Sequence, residues 1–365
     1  MDVHVNPFRG RGLPPVDGMA EGQVRTDPSG VGELLERCPA AQPTALITPG
    51  ALAEQMQVAQ LHLKDERSRM GLGSFKALGA GNVIAHMAVE RLGGNGSPVD
   101  EAELATALKG TVFACASAGN HGLSVAANAA VFGAEARVYL SEAVPEAFAQ
   151  RLRQRGATVC RAGDDYEASM AAAAEDAAAN GWILLSDSSW PGYVDVPTMV
   201  MDGYLVVGAE IVAALDRPAT HILLQAGVGG LAAALAAYFR AQWGEDPVIV
   251  VVEPDRAPSL QASIRAARPV SAPGPVSSMG RLDCKEPSHV ALGELARTAD
   301  HFVTVTDDEV EATVALLQDH GIDTTPSGAA GVAALHHVGA DRDALELDPD
   351  SRVLAIITEG PETAE

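Results

Sequence analysis

From residue 111 onward, short β-branched runs alternate with alanine-rich helical stretches, and that alternation restricts the chain to few folds. "TVFACAS" precedes the small-residue helix "NHGLSVAANAAVFG", "ARVYLS" precedes "VPEAFAQRLRQRG", and "ATVCRAG" precedes "DYEASMAAAAEDAAANG", which leads into "WILLSD". Strands separated by helices of this length make βαβ units and a parallel sheet covered on both faces. After a bridging segment with Trp190 and Tyr193 the rhythm resumes. "HILLQAG", "VIVVVEP", "HFVTVT" and "RVLAIIT" are strands, and "GLAAALAAYFRAQWG" and "EVEATVALLQDHG" are helices, with Asp307 and Asp308 placed to cap the latter. The expected class is α/β, with two open parallel-sheet domains and a ligand cleft between them. The expected divisions are an irregular Gly- and Pro-rich arm over 1–30, a large domain from 31–85 and 196–365, and a small domain over 86–195.

Composition narrows the partners. The chain has 25 Lys and Arg against 48 Asp and Glu, a formal charge of −23, which repels nucleic acid and anionic membrane surfaces. Neither is expected as a partner. An anionic ligand would need a local positive spot made by backbone dipoles. Aromatics are only 4% of residues, so the interior is expected to be built from small aliphatic side chains. Cys38, Cys115, Cys160 and Cys284 have neither close pairing nor metal-ligand spacing, so buried free thiols and no metal site are expected. No apolar run is expected to cross a bilayer, the N-terminus lacks a signal-peptide core, and a cytoplasmic location follows.

Four segments bear chemistry. In "GLGSFKALGA", Lys76 stands alone among glycines and small apolar residues. It is either a solvated lysine beside a glycine turn or an amine in a nearly neutral pocket, where desolvation makes it a usable nucleophile. "QAGVGG", Gln225 to Gly230, lies between a strand and a helix. It is either an anion cradle of backbone N–H groups or a tight packing turn. "SAGNHG", Ser117 to Gly122, is either a carboxylate-holding turn or an N-cap made by Ser117 or Asn120. "ITEG" places Thr358 at the end of the last strand.

Together these segments resemble the fold-type II pyridoxal-phosphate enzymes. "KDERSRMGLGSFKALGA", "SSWPGYVDVPTMVMDGY", "LLQAGVGG", "VEPD", "CKEPS" and "ITEG" resemble the diaminopropionate ammonia-lyase family in particular, over about residues 40 to 360. The resemblance implies pyridoxal 5'-phosphate as cofactor, a small amino acid as substrate and a homodimer. It implies that Lys76 bonds the cofactor and later acts as the base at Cα. Asn120 meets the cofactor ring oxygen, Gly227, Val228, Gly229 and Gly230 hold the phosphate, and Thr358 meets the pyridine nitrogen. Ser117, with the neighbouring Ala118, Gly119 and His121, receives the substrate.

Since the Lys76 amine must be neutral when it attacks, no carboxylate is expected against it. Valine at Gly229 is expected to weaken cofactor binding far more than folding. The implied reaction is elimination of ammonia from 2,3-diaminopropionate. "SAGNHG" is closer to the serine, threonine and 3-hydroxyaspartate dehydratases, and a non-catalytic binding relative is a further alternative. Family members that accept both isomers carry an aspartate at the position matching Ala118, and serine racemases a serine. A methyl group there implies an enzyme for the L-isomer, unless Asp187 or Asp195 reaches the second face.

Overall fold

The computed structural model describes residues 1–35, 38, 40–93 and 100–361. In chain order the strands are β1 (Asp2–Val5), β2 (Leu46–Ile47), β3 (Gln60–Asp65), β4 (Val112–Ala116), β5 (Glu135–Leu140), β6 (Thr158–Arg161), β7 (Ile183–Leu184), β8 (His221–Gln225), β9 (Val248–Pro254), β10 (His301–Val305) and β11 (Arg352–Ile357). They form two sheets, ordered β1-β10-β9-β8-β11-β3-β2 and β6-β5-β4-β7. The second sheet is parallel throughout, and so are the inner pairings of the first.

Two compact units contain these sheets. One comprises Met1–Pro28, Ala40–Phe75 and Ser188–Glu365, and the other Ser29–Pro39 and Lys76–Asp187. The divisions therefore fall immediately before Lys76 and after Asp187, not at 85 and 195. The chain start is also not a free irregular arm, because β1 pairs antiparallel with β10, Val3 opposite Val303. Four residues of "DVHV" are too short to give a pattern that stands out from the Gly- and Pro-rich sequence behind them. The second antiparallel edge, β2 on β3, caps the other side of that sheet.

The capping residue before the helix Asp307–Asp319 is Thr306, not an aspartate. Its hydroxyl accepts from Glu309 N at 3.2 Å, and Glu309 Oε2 accepts from Thr306 N at 2.8 Å, a reciprocal pair. Asp307 and Asp308 occupy the first turn, where the helix dipole favours them. Of the four thiols, which are all free, only Cys115 is buried.

One expectation about apolar runs is overturned. The helix Asp195–Ala214 is long and apolar enough to cross a membrane. Most of it is buried, and it packs against the helix Gly230–Trp243. Two of its three acidic side chains are paired inside the same unit: Asp202 with Arg25 at 2.8 Å, and Glu210 with Arg69 at 2.7 Å and Lys64 at 2.5 Å. It serves as a core helix.

Glu210 belongs to a buried ionic cluster beside β3. Arg69 bonds Glu66 at 2.8 Å, and Thr44 Oγ1 donates to Glu66 Oε1 at 2.6 Å. Lys64, Glu66 and Arg69 are each at most 1% exposed. Two cations face two carboxylates, so the set is neutral and its polar atoms are met. Such a set tolerates intact burial but not the loss of one member. The Arg69→Ala variant should lose about 3–5 kcal/mol of stability, because Glu66 is then left charged and buried with its main partner gone. A urea-denaturation midpoint unchanged from the parent protein would contradict this.

Candidate active site

In the second unit, β4 runs into the turn Ser117–Gly119 and then the helix Asn120–Val131. Gly119 is the N-cap in extended conformation, and no side chain caps the helix. Neither Ser117 nor Asn120 plays that part: Asn120 is the first helical residue, and Ser117 Oγ accepts from Gly119 N at 3.2 Å. Ser117, Ala118, Gly119 and Asn120 are all half-buried. Gly122 is required by close approach, since a Cβ there would lie 2.3 Å from the Ser117 carbonyl oxygen.

Lys76 begins the helix Lys76–Arg91, which packs on the helix Asn120–Val131. Ser124 Oγ donates to Ala77 O at 3.3 Å and so ties the two N-terminal turns together. A positive charge at a helix N-terminus opposes the macrodipole, which favours the neutral amine. The surroundings are not free of carboxylate, however. Lys76 Nζ is hydrogen-bonded to Asp187 Oδ2, with both side chains about four-fifths buried. Burial pushes the Asp187 carboxyl up, but Lys76 and His121 together bring it well below the ordinary carboxylate range. The sequence pattern around Lys76 could not reveal a partner that lies 111 residues away.

His121 is 5% exposed, and its Nε2 lies 2.8 Å from Leu185 O. Its pKa is lowered by burial, the largest effect, against the pull of Asp187. Cys115, at the end of β4, is fully buried, and burial holds its thiol protonated.

In the first unit, β8 ends at Gln225, and Ala226–Gly229 leads into the helix Gly230–Trp243, which has no acidic residue in its first turn. Gly229 is the N-cap at φ +101°, and Val228 O accepts from Ser288 N at 3.0 Å. A Cβ on Gly227 would meet Cys284 Sγ at 2.9 Å and Arg281 O at 3.2 Å. Thr358 follows β11 directly and is buried, and its Oγ1 accepts from Gln225 Nε2 at 3.4 Å. That acceptance leaves the hydroxyl proton available to a ligand acceptor. Phe75 N, just before Lys76 in the chain, donates to Thr358 O at 3.2 Å.

The structure thus gathers Lys76, Ser117, Ala118, Gly119, Asn120 and His121 in one unit, and Gly227, Val228, Gly229, Gly230 and Thr358 in the other. Asp187, proposed from the sequence only as a reserve acid for a second substrate face, is instead the partner of Lys76. Asp195 opens the helix Asp195–Ala214 in the first unit. Gln225 and Ser288 are supporting residues that sequence reasoning missed, because their partners are distant in the chain.

The Pyridoxal-phosphate dependent enzyme family matches residues 38–359. The chain is 31% identical to the diaminopropionate ammonia-lyase of Salmonella typhimurium, over 87% of this chain and 86% of that one. It is 27% identical to the L-threonine ammonia-lyase of Thermotoga maritima, over 87% of this chain and 70% of that one. Among solved structures, it is similar to Escherichia coli diaminopropionate ammonia lyase in complex with an aminoacrylate-PLP azomethine reaction intermediate. That match has a TM-score of 0.86 and 26% identity, and covers 98% of this chain and 93% of that one.

The residues present fit the cofactor. A glycine-capped helix start without carboxylates suits a phosphate, the Thr358 hydroxyl keeps a proton it could give to a ring nitrogen, and Lys76 is an amine that could bond an aldehyde. One expectation about this loop changes. At Gly229 a side chain would be strained by φ +101° and would lie 3.1 Å from Leu260 Cδ1 and 3.2 Å from Ala291 Cβ, both in the core. Gly229→Ala should therefore destabilise the cofactor-free protein by about 1–3 kcal/mol as well as weakening cofactor binding. A thermal midpoint equal to the parent's, measured without cofactor, would contradict it.

Proposed function

From its membership of the pyridoxal-phosphate dependent enzyme family, which extends over nearly its whole length, we propose that this chain is an ammonia-lyase acting on L-2,3-diaminopropionate. The observation that carries the reading is Lys76 at a helix start, beside the glycine-capped turn that bears Ser117 and Asn120. Pyridoxal 5'-phosphate, when bound, supplies an aldehyde for an amine and a ring that accepts the electron pair left at Cα.

The protein's own residues do the rest. Gly227, Val228, Gly229 and Gly230 would hold the phosphate by backbone N–H groups, Asn120 would meet the ring oxygen, and Thr358 would donate to the ring nitrogen. Ser117, with Ala118, Gly119 and His121, receives the substrate carboxylate at the uncapped helix start. Lys76, as the free amine, removes the Cα proton, and the β-amino group departs as ammonia. Hydrolysis of the remaining enamine gives pyruvate and ammonia from the second nitrogen. A homodimer in the cytoplasm is part of the same reading.

A second reading rests on a specific feature. The turn "SAGNHG" has no acid at Ala118, and the similarity to an L-threonine ammonia-lyase extends over most of the chain. The same machinery would then expel hydroxide from serine, threonine or 3-hydroxyaspartate. Release of pyruvate or another 2-oxo acid, with ammonia, across a panel of these amino acids decides between them. A higher kcat/KM for a hydroxy amino acid than for L-2,3-diaminopropionate would overturn the leading reading.

Two outcomes follow. Lys76→Ala should abolish the borohydride-trappable cofactor adduct and lower turnover by several orders of magnitude, with the fold retained. Trapping at another lysine would refute the assignment. A methyl group at Ala118 neither gives nor takes a proton, so D-2,3-diaminopropionate should be turned over at least a hundredfold more slowly than the L-isomer. Comparable rates for the two isomers would show that another acid serves the second face, and a gain of D-activity in Ala118→Asp would support the inference.

A further inference from the structure

The first unit carries a surface cavity of about 210 Å³ beside the early part of β3. Leu46 of β2 and Leu215, just past the helix Asp195–Ala214, form its apolar walls. Thr48, His62, Asp216 and Arg217 supply its polar groups. The cavity is separate from the candidate active site. β3 and β11 run parallel, and His62 is level with Leu354, four residues before Thr358. Roughly 13 Å of strand therefore lies between them, at about 3.3 Å per residue.

We propose that this cavity is a binding site for a small aliphatic amino acid in its zwitterionic form. The ligand's carboxylate would meet Arg217 and His62, its ammonium Asp216, and its side chain Leu46 and Leu215.

The charges select a zwitterion. Asp216 and Arg217 are neighbours of opposite sign, both exposed, and neither forms an ion pair or hydrogen bond with another described residue. A plain anion would be repelled by Asp216, and a plain cation by Arg217. Only a ligand with both charges satisfies both groups. The helix Asp195–Ala214 ends here, and the partial negative charge of its C-terminus adds to Asp216 on the ammonium side.

The site is also built. His62 is only 8% exposed, and its Nδ1 lies 3.1 Å from Thr48 Oγ1. With the Thr48 hydroxyl donating to Nδ1, the ring proton sits on Nε2, which bonds no other described residue and can donate to a carboxylate. Burial, with the charges of Arg352 and Arg217, lowers the imidazole pKa and keeps the ring neutral at pH 7. The turn that bears Asp216 and Arg217 is pinned, because Arg352 Nε and Nη2 donate to Pro218 O at 3.2 and 3.0 Å. The volume is that of roughly seven waters at about 30 Å³ each, which suits a ligand of about seven non-hydrogen atoms. L-2-Aminobutyrate has that size, and it has no leaving group at Cβ.

The inference is independent of the reaction assigned to Lys76. L-2-Aminobutyrate is titrated calorimetrically into the full-length, cofactor-loaded protein, while the visible absorbance of the cofactor reports the active site separately. Arg217→Gln and Asp216→Asn, both at exposed positions, should each weaken the calorimetric site at least tenfold and leave the absorbance response unchanged. Butyrate, which lacks the ammonium, and propylamine, which lacks the carboxylate, should each bind at least tenfold more weakly than the amino acid. In protein labelled with nitrogen-15 histidine, the His62 ring signals, identified by His62→Gln, should move on saturation. The surface variants carry the test even if His62→Gln fails to fold. Binding confined to the cofactor site overturns the proposal, and so does equal affinity in the parent and both variants. Butyrate or propylamine binding as tightly as the amino acid overturns it too, since the cavity would then take a plain ion.

Discussion

The Lys76–Asp187 ion pair is the charge contact at which the ends of the second unit's long segment meet. It joins the first residue of that unit's long segment to the last, so the chain between them is closed by one charge pair. Within the closed segment, the parallel sheet β6-β5-β4-β7 places the end of β4 and the stretch after β7 next to each other. Ser117–His121 leave from the first and Leu185–Asp187 from the second. An ammonium at a helix start beside a carboxylate is a compromise. The macrodipole disfavours its charge, and Asp187 favours it.

The first unit solves a different electrostatic problem. A chain with a formal charge of −23 must hold an anionic cofactor. The first unit offers a glycine-capped helix start free of carboxylates, which in the proposed reading would hold the phosphate without a cationic side chain in the loop. Lys64 and Arg69, which lie close in sequence to Lys76, are not spare cations for this purpose. Both are consumed by Glu66 and Glu210 in the cluster beside β3.

Much of this was legible in the sequence, and the reason is local. Strand–turn–helix units write their signal within about twenty residues through periodicity and glycine placement, so β4, β8, β9, β10 and β11 and the turns after β4 and β8 could be read directly. Elements whose stability comes from distant partners could not. β3, "QLHLKD", carries a lysine and an aspartate and gives no clear strand pattern, yet Lys64 is buried because Glu210 is folded against it from 146 residues away. Asp187 was visible as an acid but not as the partner of Lys76. Thr306 lost to Asp307 and Asp308 as the expected cap because three acids crowd one turn, and only the reciprocal bonds with Glu309 decide among them.

The strand order has a consequence for how the molecule is made. β3 enters early in the chain, but its neighbour toward the sheet centre is β11, whose residues are synthesised last among the strands. The segment Lys76–Asp187 is continuous, so its four strands are available to one another as soon as they leave the ribosome. At ribosomal speeds of about 5–20 residues per second, β3 then waits on the order of 10–30 s after that segment emerges before β11 arrives to cover it. Nascent chains of this protein therefore pass through a stage with one finished unit and one open, sticky sheet edge.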